Sequence, residues 1–133
     1  MLDERQSLRE RDNDDYPILR GKRVLIVEDD PVIAVDYHFQ LKDVGATAQG
    51  FKATNRDALT YIASHEVDAA IVDFLLCDGT GESIIDGLKS RGIPFIVVSG
   101  CTFRMHGEVD AAHVLSKPVA PGDIWRALSD VLH

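Results

Sequence analysis

The chain is poor in cysteine, short of positive charge and without a long hydrophobic run. Its two cysteines, Cys77 and Cys101, are too few and too irregularly placed for a disulfide framework or a zinc site. Basic residues number 14 against 22 acidic ones, and the net charge of −8 argues against a nucleic-acid or anionic-membrane surface. It favours cationic partners, metal ions among them. No apolar run reaches the length of a membrane span, and the charged start MLDERQSLRERDNDD is unlike a signal peptide, so the expected location is the cytoplasm. The first strand-like run leads into EDDP and not into a glycine-rich turn, which argues against a dinucleotide-binding crevice. There is no internal repeat and no low-complexity stretch.

What is present is enough apolar material, 45% of 133 residues, for one domain with a core. Residues 1–20 stand apart as a polar tail, half of them charged, with Tyr16-Pro17 marking the entry to a folded domain over 21–133. From there the pattern alternates. KRVLIVE is a β-branched run of strand length, and Asp30-Pro31 supplies a helix N-cap followed by proline at the first helical position. That helix is expected to run to about Val44 and stop at Gly45. TAQGFK is a weak second strand, and NRDALTYIASH a second helix capped by Asn55. DAAIVDF is a buried third strand, and GESIIDGLKS a third helix closed by Arg91-Gly92. PFIVVSG is a fourth strand, HVLS a short fifth, and APGDIWRALSDVLH a last helix.

Central strands that are apolar on both faces are strands covered by helices on both sides. Strict β/α alternation with short loops predicts a flavodoxin-like, doubly wound, five-stranded parallel sheet of order 2-1-3-4-5. That order puts a crevice at the carboxyl ends of strands 1 and 3. Glu28, Asp29 and Asp73 would converge there. Two carboxylates about 4 Å apart repel by roughly 4 kcal/mol at an effective dielectric near 20, a cost that a divalent cation would relieve. Oxygen-only ligands suit magnesium or calcium and not zinc. Asp30, beside Pro31, has an ordinary capping role. Ser99 ends the fourth strand and Lys117 the fifth. An acid cluster with one lysine and one hydroxyl at its rim would suit a phosphoryl group.

The set Glu28-Asp29, Asp73, Ser99 and Lys117-Pro118, each at a strand end and in order, resembles the receiver domain of bacterial two-component response regulators. The likeness covers roughly residues 22–133. It implies that Asp73 accepts a phosphoryl group from a histidine kinase or histidine phosphotransfer protein, in a phosphorelay. It further implies Mg²⁺ bound by Asp29, Asp73 and the backbone carbonyl of Leu75, with Glu28 helping through a water. Ser99 and Lys117 would hold the phosphoryl oxygens, and the Lys117-Pro118 peptide would be cis. Such a protein is a switch or shuttle and not an enzyme.

Three departures from the pattern stand out. Ser99 replaces the usual threonine and keeps its hydroxyl. Val114 stands where an aromatic commonly swings inward, so a tyrosine-type rotamer switch is not expected. The interval from Ser99 to Lys117 is shorter than usual, and GCTFRMHGEVDAAH has poor helical periodicity, so the fourth helix is expected to be short or irregular. PFIVVSG also resembles the atypical receivers nicknamed FATGUY, whose pattern here runs Pro-Phe-x-Phe-Ala-Thr-Gly-Tyr. Pro94, Phe95 and Gly100 match, Ser99 replaces the threonine, and the second phenylalanine and the tyrosine are missing. Receivers of that type often stand alone, and the chain ends with its last helix at His133.

Two helices carry more apolar surface than a core needs. On the first, Ile33, Tyr37, Leu41 and Val44 form the stripe toward the sheet, while Val32, Val35 and Phe39 form another. On the last, Ile124, Leu128 and Val131 read as core, leaving Trp125 and Leu132 on a different face. Spare apolar stripes of this kind mark partner surfaces. The first is assigned to a helical phosphodonor and the second to a homodimer or a downstream protein target. The five histidines share no ligand spacing.

Two rivals remain on sequence. A phosphorylation-independent interaction module with a receiver fold is favoured by Val114 and the short fourth segment, and disfavoured by the acid cluster and Lys117. A hydrolase with an aspartyl nucleophile, as in haloacid dehalogenase-like phosphatases, needs a second acid two residues after the nucleophile, where Leu75 stands.

Overall fold

The computed structural model describes residues 15–76, 78–100 and 114–133. The expectations for residues 1–14, for Cys77 and for the short fourth helix, with Cys101, His106 and His113, fall outside these residues. Strand β1 spans Arg23–Val27, helix α1 Pro31–Asp43, β2 Thr47–Lys52, α2 Asn55–Ser64 and β3 Ala69–Asp73. Two short strands follow, β4 (Leu75–Leu76) and β5 (Gly79–Thr80), then α3 (Glu82–Ser90), β6 (Phe95–Ser99), β7 (Val114–Ser116) and α4 (Pro121–Leu132). The main sheet is parallel, in the order β2-β1-β3-β6-β7. With the β4–β5 hairpin set aside, this is the expected 2-1-3-4-5 arrangement.

The pleat divides the core in two. Successive side chains on a strand point to opposite faces. Val24, Ile26, Ile71, Ile96 and Val98 therefore meet Tyr37 and Leu41 of α1 and Ile124 and Leu128 of α4. Leu25, Val27, Val72, Phe95 and Val97 meet Ala58 and Ile62 of α2 and Ile84 and Leu88 of α3. Because both faces are covered, β1, β3 and β6 read as unbroken apolar runs. Among the described residues the edge strand β2 pairs only with β1, through a register shift, and leaves Phe51 exposed.

Local chemistry places the helix ends. Asp30 Oδ1 accepts the Val32 N–H at 2.9 Å, an N-cap of the kind worth about 1 kcal/mol. Gly45, at φ +79°, turns the chain out of α1 through a left-handed conformation that a side chain would strain. The start of α2 differs from expectation. Thr54 is the N-cap, its Oγ1 accepting the Asp57 N–H at 3.1 Å, and Asn55 is the first helical residue. The β4–β5 hairpin was not anticipated either, because two-residue strands carry no hydrophobic period.

Trp125 overturns one sequence expectation. It is buried, not on a free face: its indole N–H donates to the Gln40 carbonyl at 2.8 Å. The Tyr16 ring lies 6.0 Å away. A one-turn 3₁₀ helix, Pro17–Leu19, brings Leu19 fully into the core beside α4. The first-helix stripe, by contrast, is open: Val32 is 76%, Val35 47% and Phe39 58% exposed. Among the described residues no helix is long and apolar enough to cross a membrane.

The start of β1 is tied to the loop before β3. Asp68 accepts from the Arg23 backbone N–H (2.7 Å), its Nε (3.0 Å) and its Nη2 (3.2 Å). These bonds hold the Asp68 carboxyl below its usual range. A depressed folded pKa contributes stability above the unfolded value near 3.9, and that contribution is lost as pH falls through the folded value. Asp68→Ala is expected to lower the melting temperature by about 4 °C at pH 7. In thermal melts followed by circular dichroism, the gap from wild type should shrink below about pH 4.

Candidate functional site

Four strands deliver their last or next residue to one crevice. Glu28 follows β1 and is 1% exposed, with its N–H donating to the Lys52 carbonyl at 2.9 Å. Asp73 is the last residue of β3 and Ser99 the last of β6, and both are buried. Lys117 follows β7, its N–H donating to the Ser99 carbonyl at 2.9 Å, and the Lys117-Pro118 peptide is cis. One carboxylate oxygen each from Glu28, Asp29 and Asp73 lie within 4.8 Å of one another. The Lys117 ammonium stands between two of these acids, 3.3 Å from Asp73 Oδ2 and 3.7 Å from Glu28 Oε2.

Among the described residues, Lys117 is shared between Glu28 and Asp73. Glu28 Oε1 accepts the Asp30 N–H at 3.2 Å, but Oε2 is buried and has no hydrogen-bond partner among the described residues. Burial, then the contact with Asp73 and its charge, push the Glu28 carboxyl up to about 8, against the pull of Lys117. A buried carboxylate oxygen without a donor is costly. Three hard oxygens with a span of a few ångströms, from acids that include the one with the unsatisfied Oε2, fit a Mg²⁺ or Ca²⁺ ion, whose bonds to oxygen run about 2.1–2.6 Å. Burial also raises the Tyr37 phenol above its ordinary value. Tyr37 lines a groove of about 420 Å³ beside Lys117, with Ile33, Asp36, Pro118 and Val119.

Leu75, the expected source of a carbonyl ligand, lies two residues past Asp73 in β4. Its N–H donates to Asp73 Oδ1 at 3.2 Å, and its side chain is turned out, 58% exposed. The segment after Asp73 is closed by the Gly81 N–H, which donates to the Phe74 carbonyl at 2.6 Å. A Cβ at Gly81 would sit 3.1 Å from the Asp73 carbonyl oxygen, so glycine lets the chain return this close to the strand end.

Sequence reasoning missed what holds this segment. Asn55, read as a helix cap, is buried and bonded to the β4–β5 hairpin. Its backbone N–H and its Nδ2 donate to Asp78 Oδ1 at 2.9 and 3.2 Å, and Nδ2 also donates to the Thr80 carbonyl at 2.7 Å. Its Oδ1 accepts the Ile84 N–H at 3.0 Å, and Asp78 Oδ2 accepts the Arg56 N–H at 3.3 Å. The partners lie 23 to 29 positions away in sequence. The only early signal was an asparagine at a helix start, and capping explained it.

The fold and this crevice define a flavodoxin-like domain whose site lies at the reversal of strand order between β1 and β3. Known proteins narrow the class. SdrG from Sphingomonas melonis Fr1 is 30% identical, with a TM-score of 0.71, over 85% of this chain and 98% of that one. The signal receiver domain of a modulated diguanylate cyclase from Desulfovibrio desulfuricans G20 is 27% identical, with a TM-score of 0.76, over 85% and 94%. The phyllosphere-induced regulator PhyR of Methylorubrum extorquens is 27% identical over 114 residues, 82% of this chain. The chain spans 43% of the length of that regulator. No family model matches the chain. The chain belongs to the receiver-domain family of bacterial response regulators.

Like-charge crowding makes a direct prediction. At about pH 9, above the raised Glu28 value, and without divalent cations, Asp73→Asn should stabilise the domain by about 1 kcal/mol or more, since it removes one of two close carboxylates. Urea unfolding in EDTA measures this, and a destabilised variant would mean that the Lys117 pairing outweighs the repulsion.

Proposed function

We propose that Asp73 accepts a phosphoryl group from the phosphohistidine of a histidine kinase or histidine phosphotransfer protein, and that the domain acts in a phosphorelay as a switch or shuttle. The observation that carries this reading is the buried Asp73–Glu28 pair spanned by Lys117, with Asp29 at the same point. An Asp73 oxygen attacks phosphorus, the P–N bond breaks, and the imidazole nitrogen leaves with the bond pair. Mg²⁺, held by Asp29, Asp73 and the Leu75 carbonyl and through a water by Glu28, would neutralise charge on the transferring group. Lys117 pairs with one phosphoryl oxygen, and the Ser99 hydroxyl donates to another after transfer. These steps make the domain a self-modifying acceptor with slow self-dephosphorylation, not an enzyme. A cytoplasmic location accords with such a donor. Pro94, Phe95, Ser99 and Gly100 support a place among FATGUY-type receivers.

The rival, a phosphorylation-independent module, has no use for an unsatisfied buried carboxylate beside a lysine. Intact mass after incubation with acetyl phosphate separates the two. Wild type is expected to gain one phosphoryl group in the presence of Mg²⁺ and not in EDTA, and Asp73→Asn to gain none. Failure with acetyl phosphate and with every histidine-kinase donor would favour the rival.

The open face of α1, beside the groove next to Lys117, is where the helical donor docks in this reading. Val35 and Phe39 replaced together by serine should slow transfer from the donor protein about tenfold or more and leave acetyl phosphate labelling unchanged. Equal loss of both rates would remove the docking role. The homodimer or downstream-target surface is not on the Trp125 face, which the chain itself covers.

A further inference from the structure

Asp73 is followed by a segment, residues 74–76 and 78–81, whose Phe74 and Leu76 are buried in the apolar core beneath α2 and α3. Leu75, Gly79 and Thr80 are exposed, and β4 and β5 pair through only two residues each. An isolated hairpin of that size is not stable in water. Its shape is imposed from α2 and α3. Asn55 spends both hydrogen-bonding ends of its amide there, donating to Asp78 and to the Thr80 carbonyl and accepting from Ile84 at the start of α3. Thr80 is the cross-strand neighbour of Leu75. Asp78, in turn, accepts the Asn55 and Arg56 N–H groups, two of the donors that the first turn of α2 leaves without helical partners. One buried amide thus fastens the start of α2, the strand opposite Leu75 and the start of α3 to one another.

We propose that Asn55 and Asp78 are positioning residues for the cation site: they hold the hairpin in the one conformation that presents the Leu75 carbonyl beside Asp73 and Asp29. The inference deepens the reading of the site given above and rests on it. A ligand atom on a loose loop must be ordered when the cation binds, whereas here the folded chain has already ordered it. Loss of partners that orient metal ligands typically costs 10- to 100-fold in affinity.

The test is the Mg²⁺ affinity of the unphosphorylated protein by titration calorimetry, a readout independent of phosphotransfer. Asn55→Ala is expected to weaken binding about tenfold or more. Asp78→Ala, at an exposed position, should weaken it in the same direction, and Asp78→Asn, which keeps an acceptor oxygen, should recover part of the loss. Asp68→Ala, which loosens the fold far from the crevice, should leave the affinity unchanged, so a general loss of stability cannot mimic the effect. If Asn55→Ala does not fold, the two Asp78 variants decide. Binding within twofold of wild type in a folded Asn55→Ala or Asp78→Ala would reduce the clasp to a helix cap and overturn the inference. Wild type that takes up no Mg²⁺ would remove both the inference and the cation reading.

Discussion

Lys117 places one ammonium group between two buried carboxylates, and that arrangement constrains the rest of the molecule. Glu28 and Asp73 are nearly inaccessible to water, so their charges cannot be screened by solvent and must be met by groups the fold supplies. The lysine reaches both only because β7 lies beside β6 and β6 beside β3, with Lys117 bonded through its backbone to the end of β6. The acids meet only because β1 and β3 are neighbours and end at the same level. The sheet order is therefore the precondition of the site. Among the described residues, one ammonium group serves both buried acids and leaves Glu28 Oε2 without a hydrogen bond, the deficit on which the cation and phosphoryl readings draw.

The crevice is stiffer than a set of loop tips would be. Glu28 and Lys117 are bonded to adjacent strand ends through their backbones, and the chain after Asp73 is gripped by Asn55 and closed at Gly81. Polar bonds hold the exposed residues there, Leu75, Gly79 and Thr80, while Phe74 and Leu76 are packed in the core. The same division appears between the outer faces. Around α4, Trp125, Tyr16 and Leu19 close an apolar face within the chain, whereas α1 leaves Val32, Val35 and Phe39 to water. One apolar stripe is thus left exposed on α1 and the other is sealed within the chain.

Much of this was legible in the amino-acid order. Strands buried on both faces leave continuous runs such as VLIV and FIVV, and Asp30-Pro31 and Gly45 punctuate α1 as capping and left-handed turns require. From alternation alone the parallel sheet followed, and with it the meeting of Glu28, Asp29 and Asp73. Illegible were the hairpin after Asp73, the clasp by Asn55 and the burial of Trp125. None of these leaves a local period, because each depends on a partner far along the chain: Thr80 and Asp78 for Asn55, and Tyr16 and Gln40 for Trp125.

Local order by itself thus determined where strands and helices begin and which residues stand at strand ends, since burial on one or both faces and the stereochemistry of caps are written in adjacent residues. Only the tertiary structure decided which apolar face is covered, what grips the segment after Asp73, and how closely Lys117 approaches the two acids. Those outcomes are set by distances between groups remote in sequence. Such distances exist only once the sheet has been assembled and its two cores have closed.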